Sequence, residues 1–282
     1  MQIVTSAAQM QEISQELRRK GLTIGCVPTM GYFHEGHLSL IRSAGEENDR
    51  VVVSLFINPK QFGENEDFSL YPRDWERDRR LAEEQGVDVI FVPTMNEMYS
   101  EDFSTHVEVS GLTEVMCGAS RPGHFKGVTT VVAKLFNIML PHRAYFGQKD
   151  AQQALVIKKM VRDLNFPLEV RVMPIVREED GLAMSSRNVY LSREERQAAL
   201  VLPRGLEAAR KALENGERSA RELESIIHEV ISSSPLPRID YVTIREINTL
   251  EEVDVVSGPI LVAAAVWIGR TRLIDNFISH RL

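Results

Sequence analysis

Two histidines three positions apart, His34 and His37, stand with Gly31 and Gly36 in the stretch "PTMGYFHEGHLSL" (28–40). An apolar run, "LTIGCVP", precedes it, and "HLSLIRSAGEEND" continues it at helical spacing. A strand-to-helix junction offers free backbone N–H groups and the positive end of a helix dipole, a setting that suits phosphate. Imidazoles at i and i+3 of the opening turn point the same way. They can donate hydrogen bonds to phosphate oxygens and neutralise charge that builds during phosphoryl attack. The two glycines let the backbone come close to a ligand. A surface or capping role would account for a lone histidine, but H-x-G-H at such a junction favours chemistry. Zinc is the weaker alternative, because no third ligand has matching spacing nearby.

Other stretches carry complementary groups. In "FINPKQFGENEDFSLYPRD" (56–74), Asn58 and Gln61 are neutral amides at a strand end, suited to a small polar substrate with hydroxyls and a carboxylate. An ordinary loop is an equal reading of that spacing. In "YFGQKDAQQ" (145–153), Asp150 is placed to cap a helix, and Gln152 and Gln153 fall in its first turn. Lys149, a compact cation beside a positive dipole end, needs an anion between them. In "REEDGLAMSSRN" (177–188), Ser185, Ser186 and Arg187 make a donor-rich loop able to close over phosphates. Ser192 and Glu195 form a capping box, which leaves Ser185 and Ser186 free. "RPGHFKGV" (121–128) is basic, and His124 and Lys126 face the same site or solvent with equal weight. There is neither a G-x-x-x-x-G-K-[ST] loop nor a dinucleotide G-x-G-x-x-G, so a nucleotide would be held by the H-x-G-H turn.

The elements between these stretches must position them. Thr5 or Ser6 is placed to cap a first helix with Met10, Ile13 and Leu17 on one face and Gly21 at its end. Apolar strands follow at "LTIGCVP", "RVVVSLFI", "VDVIFVP", "RAYFG" and "LEVRVMPIV", with a short one at "STHVEVS" (104–110). Helical stretches separate them. Continuous apolar strands alternating with helices predict an α/β fold, a Rossmann-like parallel sheet covered on both faces, over residues 1–176. Ligands of such sheets sit beyond the C-terminal strand ends. The pattern changes over 177–282 to a smaller α+β unit, a lid, with helical stretches near 192–215 and 218–232. "IDYVTIREI", "PILVAAAVWIG" and "TRLIDNFIS" follow as antiparallel strands.

The chain has 282 residues, 43% hydrophobic and 26% charged, which fits a soluble globular protein. A net charge of −7 gives no global basic field for nucleic acid or an acidic membrane. Cys26 and Cys117 lack a C-x-x-C arrangement, which predicts a reduced, cytoplasmic setting. No secretory signal pattern opens the chain, and no apolar run approaches the ~20 residues of a membrane span.

Four motifs stand in order: "PTMGYFHEGHLSLI", "FINPKQF", "YFGQKDAQQ" and "DGLAMSSRNVYLS". Together they resemble the pantoate–β-alanine ligase (pantothenate synthetase) family along essentially the whole chain. H-x-G-H alone would lead only to the wider nucleotidyltransferase superfamily. Tyr32–Phe33 departs from the resemblance, since a smaller residue followed by leucine is common there; both pairs are apolar. The resemblance implies ATP-dependent condensation of (R)-pantoate with β-alanine to pantothenate, AMP and pyrophosphate, through a pantoyl adenylate. It also implies Mg2+, a homodimer and a place in the coenzyme A pathway.

Residue by residue, it implies that Met30, Gly31, Tyr32, Phe33, His34, Glu35, Gly36 and His37 hold ATP. His34 and His37 would lie on its phosphates, with His37 as proton donor. Gly147, Gln148, Lys149 and Asp150 would bind ATP, with Lys149 on the phosphates, and Val176 would touch the adenine. Met184, Ser185, Ser186 and Arg187 would close over the phosphates. Gln61 and Gln153 would hold pantoate, Gln61 would also border the β-alanine position, and Asn58 joins them among the substrate-binding residues. The chemistry of the residues agrees. A carboxylate is a poor electrophile until adenylation gives it a leaving group, and that step needs charge stabilisation rather than a covalent nucleophile. Electrostatic stabilisation accounts for His37 as well as proton donation does. Two other readings are a nucleotidyltransferase acting on a phosphorylated alcohol and a non-catalytic nucleotide sensor.

Overall fold

Runs of β-branched and small apolar residues set the first sheet. A computed structural model describes residues 1–64 and 66–280; Asn65, Arg281 and Leu282 lie outside it. The first part comprises β1 (Gln2–Val4), α1 (Ala7–Arg19), β2 (Ile24–Thr29), α2 (Glu35–Glu47), β3 (Arg50–Leu55), α3 (Trp75–Glu84) and β4 (Val89–Phe91). Next come the short α4 (Met95–Met98) and α5 (Met116–Ser120), then α6 (His124–Met139), β5 (Arg143–Gly147), α7 (Ala151–Asp163) and β6 (Glu169–Met173). The remainder comprises α8 (Arg193–Ala199), α9 (Val201–Glu214), α10 (Ala220–Ser232), β7 (Pro237–Glu246), β8 (Ile260–Ile268) and β9 (Thr271–Ser279). Of the two cap candidates, Thr5 and Ser6, it is Ser6 that caps α1, its side chain accepting from the Gln9 N–H.

The first six strands form one parallel sheet in the order β1-β4-β3-β2-β5-β6. The chain runs outward to one side from β2 and then returns to β5 on its other side. The C-terminal ends of β2 and β5 therefore flank the point where strand order reverses, where open α/β sheets bind ligands. Thr29 and Gly147 close those two strands, so the 30–37 and 148–153 segments emerge side by side.

The second sheet is antiparallel, β7-β8-β9. Its central strand is apolar on both faces. Val262, Ala264 and Val266 pack with α9 and α10, whereas Leu261 and Ala263 join the core of the first sheet. The period-2 alternation of a strand thus docks the smaller unit face-on against the larger.

Two expectations change, and one strand was not foreseen. Residues 104–110 form no strand. The Val107 N–H instead donates to Thr130 Oγ1 (3.0 Å), and its carbonyl accepts from Thr129 Oγ1 (2.6 Å), so threonines of α6 satisfy the backbone groups that strand pairing would have used. Asp150 occupies the N-cap position of α7 but makes no side-chain cap bond, and its carboxylate faces the cleft. β1, only three residues long, carries too little periodicity to be read from sequence.

Candidate active site

The turn between β2 and α2 is strained and braced. Gly31 (φ +84°) and Tyr32 (φ +53°) are both left-handed, a conformation that costs a non-glycine residue about 1–2 kcal/mol. Asp78 of α3, only 1% exposed, accepts from the N–H groups of Tyr32 (2.6 Å) and Phe33 (2.7 Å) and holds the turn. A Cβ on Gly31 would lie 2.9 Å from Asp78 Oδ2, so closeness to this carboxylate, besides φ, requires glycine. Burial raises the Asp78 carboxyl above its ordinary range, partly offset by the two N–H bonds. Asp78 was not singled out in the sequence. It sits in "DWERDRR", where a buried acid looks like its solvated neighbours.

His34 is the N-cap of α2 and His37 its third residue, and the two cap reciprocally. His34 Nδ1 accepts from the Gly36 N–H (3.1 Å), and His37 Nδ1 accepts from the His34 N–H (3.4 Å). Gly36 makes room for this fold-back: a Cβ there would lie 2.9 Å from the His34 ring. A nitrogen that accepts carries no proton, so in each neutral ring the proton lies on Nε2. Burial, then the Lys149 charge, pushes His34 down to about 4. Burial, His34 and Lys149 hold His37 well below its ordinary value. In the free protein both rings are thus neutral Nε2–H donors; capping occupies each Nδ1 and leaves each Nε2–H available. Phe33 is core, and Glu35 is half-exposed and pairs with Arg42.

Gln61 ends a 3-10 turn, Pro59–Gln61, after β3. Its Oε1 accepts from Asn58 Nδ2 (3.1 Å), which leaves its NH2 as the group directed to Met30 and the cavity. Asn58 itself is 1% exposed and fully engaged, donating also to the Gly127 carbonyl and accepting from Tyr99 Oη (2.8 Å) and Lys60 N–H. Asn58 therefore orients Gln61, although it was expected among the substrate contacts. His124 Nδ1 donates to the Gln61 carbonyl (2.8 Å) and Nε2 accepts from Arg121 (3.0 Å), which keeps this imidazole neutral; burial, first, and Arg121 push it down to about 4. Lys126 turns instead toward Glu108.

Lys149 leaves the end of β5 with its Nζ 3.9 Å from Asp150. Gln153 lines the cavity, whereas Gln152 points inward and holds Cys117 N–H and the carbonyls of Leu112 and Val115. Gln148 turns its amide to Asn276. On the far wall, Ser185 caps a second 3-10 turn by accepting from the Arg187 N–H, and Ser186 donates to the Tyr32 carbonyl (3.3 Å). Ser192 and Glu195 do form the capping box, yet neither Ser185 nor Ser186 is free, a correction to the sequence reading. Arg187 makes a two-bond ion pair with Asp67 (2.8 Å each). Burial would raise Asp67, but Arg187 holds it below its ordinary value.

One cavity of about 230 Å3 collects Met30, His34, Gly36, His37, Asn58, Gln61, Gly147, Lys149, Asp150, Gln153, Val176 and Met184 to Arg187. It adjoins a cleft of about 730 Å3 between the two units and shares Lys149, Asp150, Gln153, Ser185 and Arg187 with it. Of the ATP-site residues expected from the sequence, Gly31, Tyr32, Phe33, Glu35 and Gln148 lie outside that cavity lining. Among the described residues no three His, Cys, Asp or Glu side chains gather to hold a metal ion, and no helix is long and apolar enough to cross a membrane.

A family profile described as pantoate-beta-alanine ligase matches residues 2–278. A pantothenate synthetase of Heliobacterium modesticaldum is 59% identical over 278 residues, covering 99% of each chain. One from Moorella thermoacetica is 56% identical over 278 residues, covering 99% of this chain and 98% of that one. The crystal structure of pantothenate synthetase from Thermus thermophilus superposes with a TM-score of 0.93 at 49% identity, covering 98% of this chain and 99% of that one. A pantoate-beta-alanine ligase from Francisella tularensis, solved with a β,γ ATP ligand and β-alanine, superposes at 0.80 and 33% identity, covering 99% and 97%.

Proposed function

This chain belongs to the pantoate–β-alanine ligase family, and on that premise we propose that it condenses pantoate with β-alanine using ATP, by way of a pantoyl adenylate. One observation carries this reading. Where the strand order reverses, a single cavity joins two neutral imidazole donors, a lysine and two glutamine amides. Such a set stabilises developing negative charge on phosphate and reads hydroxyl and carboxylate groups.

In the first half-reaction a pantoate carboxylate oxygen bonds to the α-phosphorus, and the bond to pyrophosphate breaks. His34 and His37 donate from Nε2 to phosphate oxygens, and Lys149 supplies a point charge. His37 enters the reaction as a neutral Nε2–H hydrogen-bond donor, since burial, His34 and Lys149 hold its pKa well below the ordinary value in the free protein. Gln61 and Gln153 orient pantoate. In the second half-reaction the β-alanine nitrogen attacks the acyl carbon and AMP leaves. The 184–187 loop and the 177–282 unit act as the lid, with Arg187 exchanging Asp67 for phosphate on closure. Mg2+ would accompany the triphosphate, and Asp150, the carboxylate beside Lys149 that caps nothing, would be its contact on the protein side. When bound it neutralises phosphate charge. A homodimer in the cytoplasm completes the reading.

The test is product analysis with ATP, Mg2+, pantoate and β-alanine. Pantothenate, AMP and pyrophosphate in equal amounts support the proposal; ADP and phosphate contradict it.

A further inference from the structure

Two adjacent polar residues of β9 are nearly sealed from solvent, Asp275 at 2% and Asn276 at 4% exposure. Asn276 Nδ2 donates to the carbonyls of Gln148 (3.0 Å) and Lys149 (3.0 Å), and its Oδ1 accepts from Gln148 Nε2 (3.3 Å). Asp275 receives two bonds from Arg177 (2.7 and 3.0 Å), and its Oδ1 also accepts from the Asn276 N–H (2.8 Å). Arg177 in turn donates to the Gly181 carbonyl (3.0 Å). A dipeptide of the second sheet thus grips both the turn that carries Lys149 and the base of the segment that carries Ser185 and Arg187.

The Lys149 turn is a 3-10 helix of three residues, Gln148–Asp150, and such short turns are weakly held by their own bonds. A lysine ammonium rides on a flexible stem, so where it can reach depends on where its backbone is fixed. Both donors of one buried amide meet the carbonyls of that turn and fix it to the smaller unit.

We propose that Asn276 is a positioning residue for the ligation: it sets the Lys149 turn, and with Asp275 it makes the ammonium and the 184–187 loop approach the triphosphate as one body. The proposal rests on Lys149 acting on ATP as argued above. Closure of the smaller unit would then carry Lys149 with it instead of sliding past it.

The test is a double-mutant cycle read by ATP–pyrophosphate exchange in the presence of pantoate. Asn276→Asp keeps the shape but turns an acceptor to two carbonyls. It is expected to lower exchange about a hundredfold, as a misplaced catalytic group does, with thermal unfolding still cooperative. In a Lys149→Ala background the same change is expected to cost less than about twofold, the signature of coupled sites. Equal fold losses in both backgrounds would overturn the proposal and leave Asn276 as structural glue. If Lys149→Ala alone leaves exchange intact, the functional reading of Lys149 fails, and this proposal with it. Should Asn276→Asp not fold, Asn276→Ala, which removes the bonds without adding charge, carries the same cycle.

Discussion

The imidazoles of His34 and His37 lie with ring centroids 4.1 Å apart, and each turns its Nδ1 to a backbone N–H at the start of α2. One motif thus caps a helix and leaves two Nε2–H groups for the cavity. Replacing His37 by Ala should lower ATP–pyrophosphate exchange by about 10²–10³, the usual loss for one preorganised donor. His37→Gln, which still offers an N–H but no titrating proton, should recover part of that loss. A glutamine variant as inactive as the alanine variant would make His37 a true proton donor.

Acid stability should report the same neutral rings. Folding holds His34 and His124 at about 4, while each takes a proton near 6.5 in the unfolded chain. Between those values the unfolded chain binds more protons, so stability is intact above pH 6.5 and falls as pH drops toward 4. Asp67 and Glu178 are held below their ordinary values by Arg187 and Arg196 in spite of burial, so their contributions disappear only at more acid pH. His34→Asn, which keeps a good N-cap, should flatten the pH dependence between 6.5 and 4.5 by up to about 1.4 kcal/mol per pH unit. Urea unfolding across that range is the measurement, and an unchanged slope would contradict a neutral His34.

Much of this was legible because strand and helix patterns are local. The apolar runs of β2 and β3 and the spacing of Leu38, Ile41 and Ala44 mark elements that the structure contains, with those residues buried. H-x-G-H and G-Q-K-D could be placed at strand ends before strand order was known. What stayed hidden depends on partners distant in sequence. Asp78 is 46 positions from the Tyr32 N–H it accepts from, and Asn276 is 127 positions from the Lys149 carbonyl. Nothing local distinguishes either from a solvated side chain. Ser186 looked free for the same reason: its acceptor, the Tyr32 carbonyl, lies 154 positions away.

The acid site can be probed through its oriented amide. Gln61→Ala should raise the KM for pantoate while leaving ATP binding nearly intact, since losing a buried partner for a polar group costs about 1–3 kcal/mol. Asn58→Ala should do the same more weakly, because Gln61 could then turn its amide over. Steady-state kinetics with pantoate and ATP varied separately would reveal the split. Equal effects on both substrates would move the acid away from Gln61.

The central claim is that this cavity activates the acid before the amine arrives, and one isotope measurement tests it directly. The enzyme is incubated with ATP, Mg2+ and pantoate, without β-alanine, and labelled pyrophosphate is added. On the proposed reading His34, His37 and Lys149 stabilise charge in the α-phosphorus step alone, so label should enter ATP, and no ADP should form. Exchange that appears only once β-alanine is supplied would contradict the account.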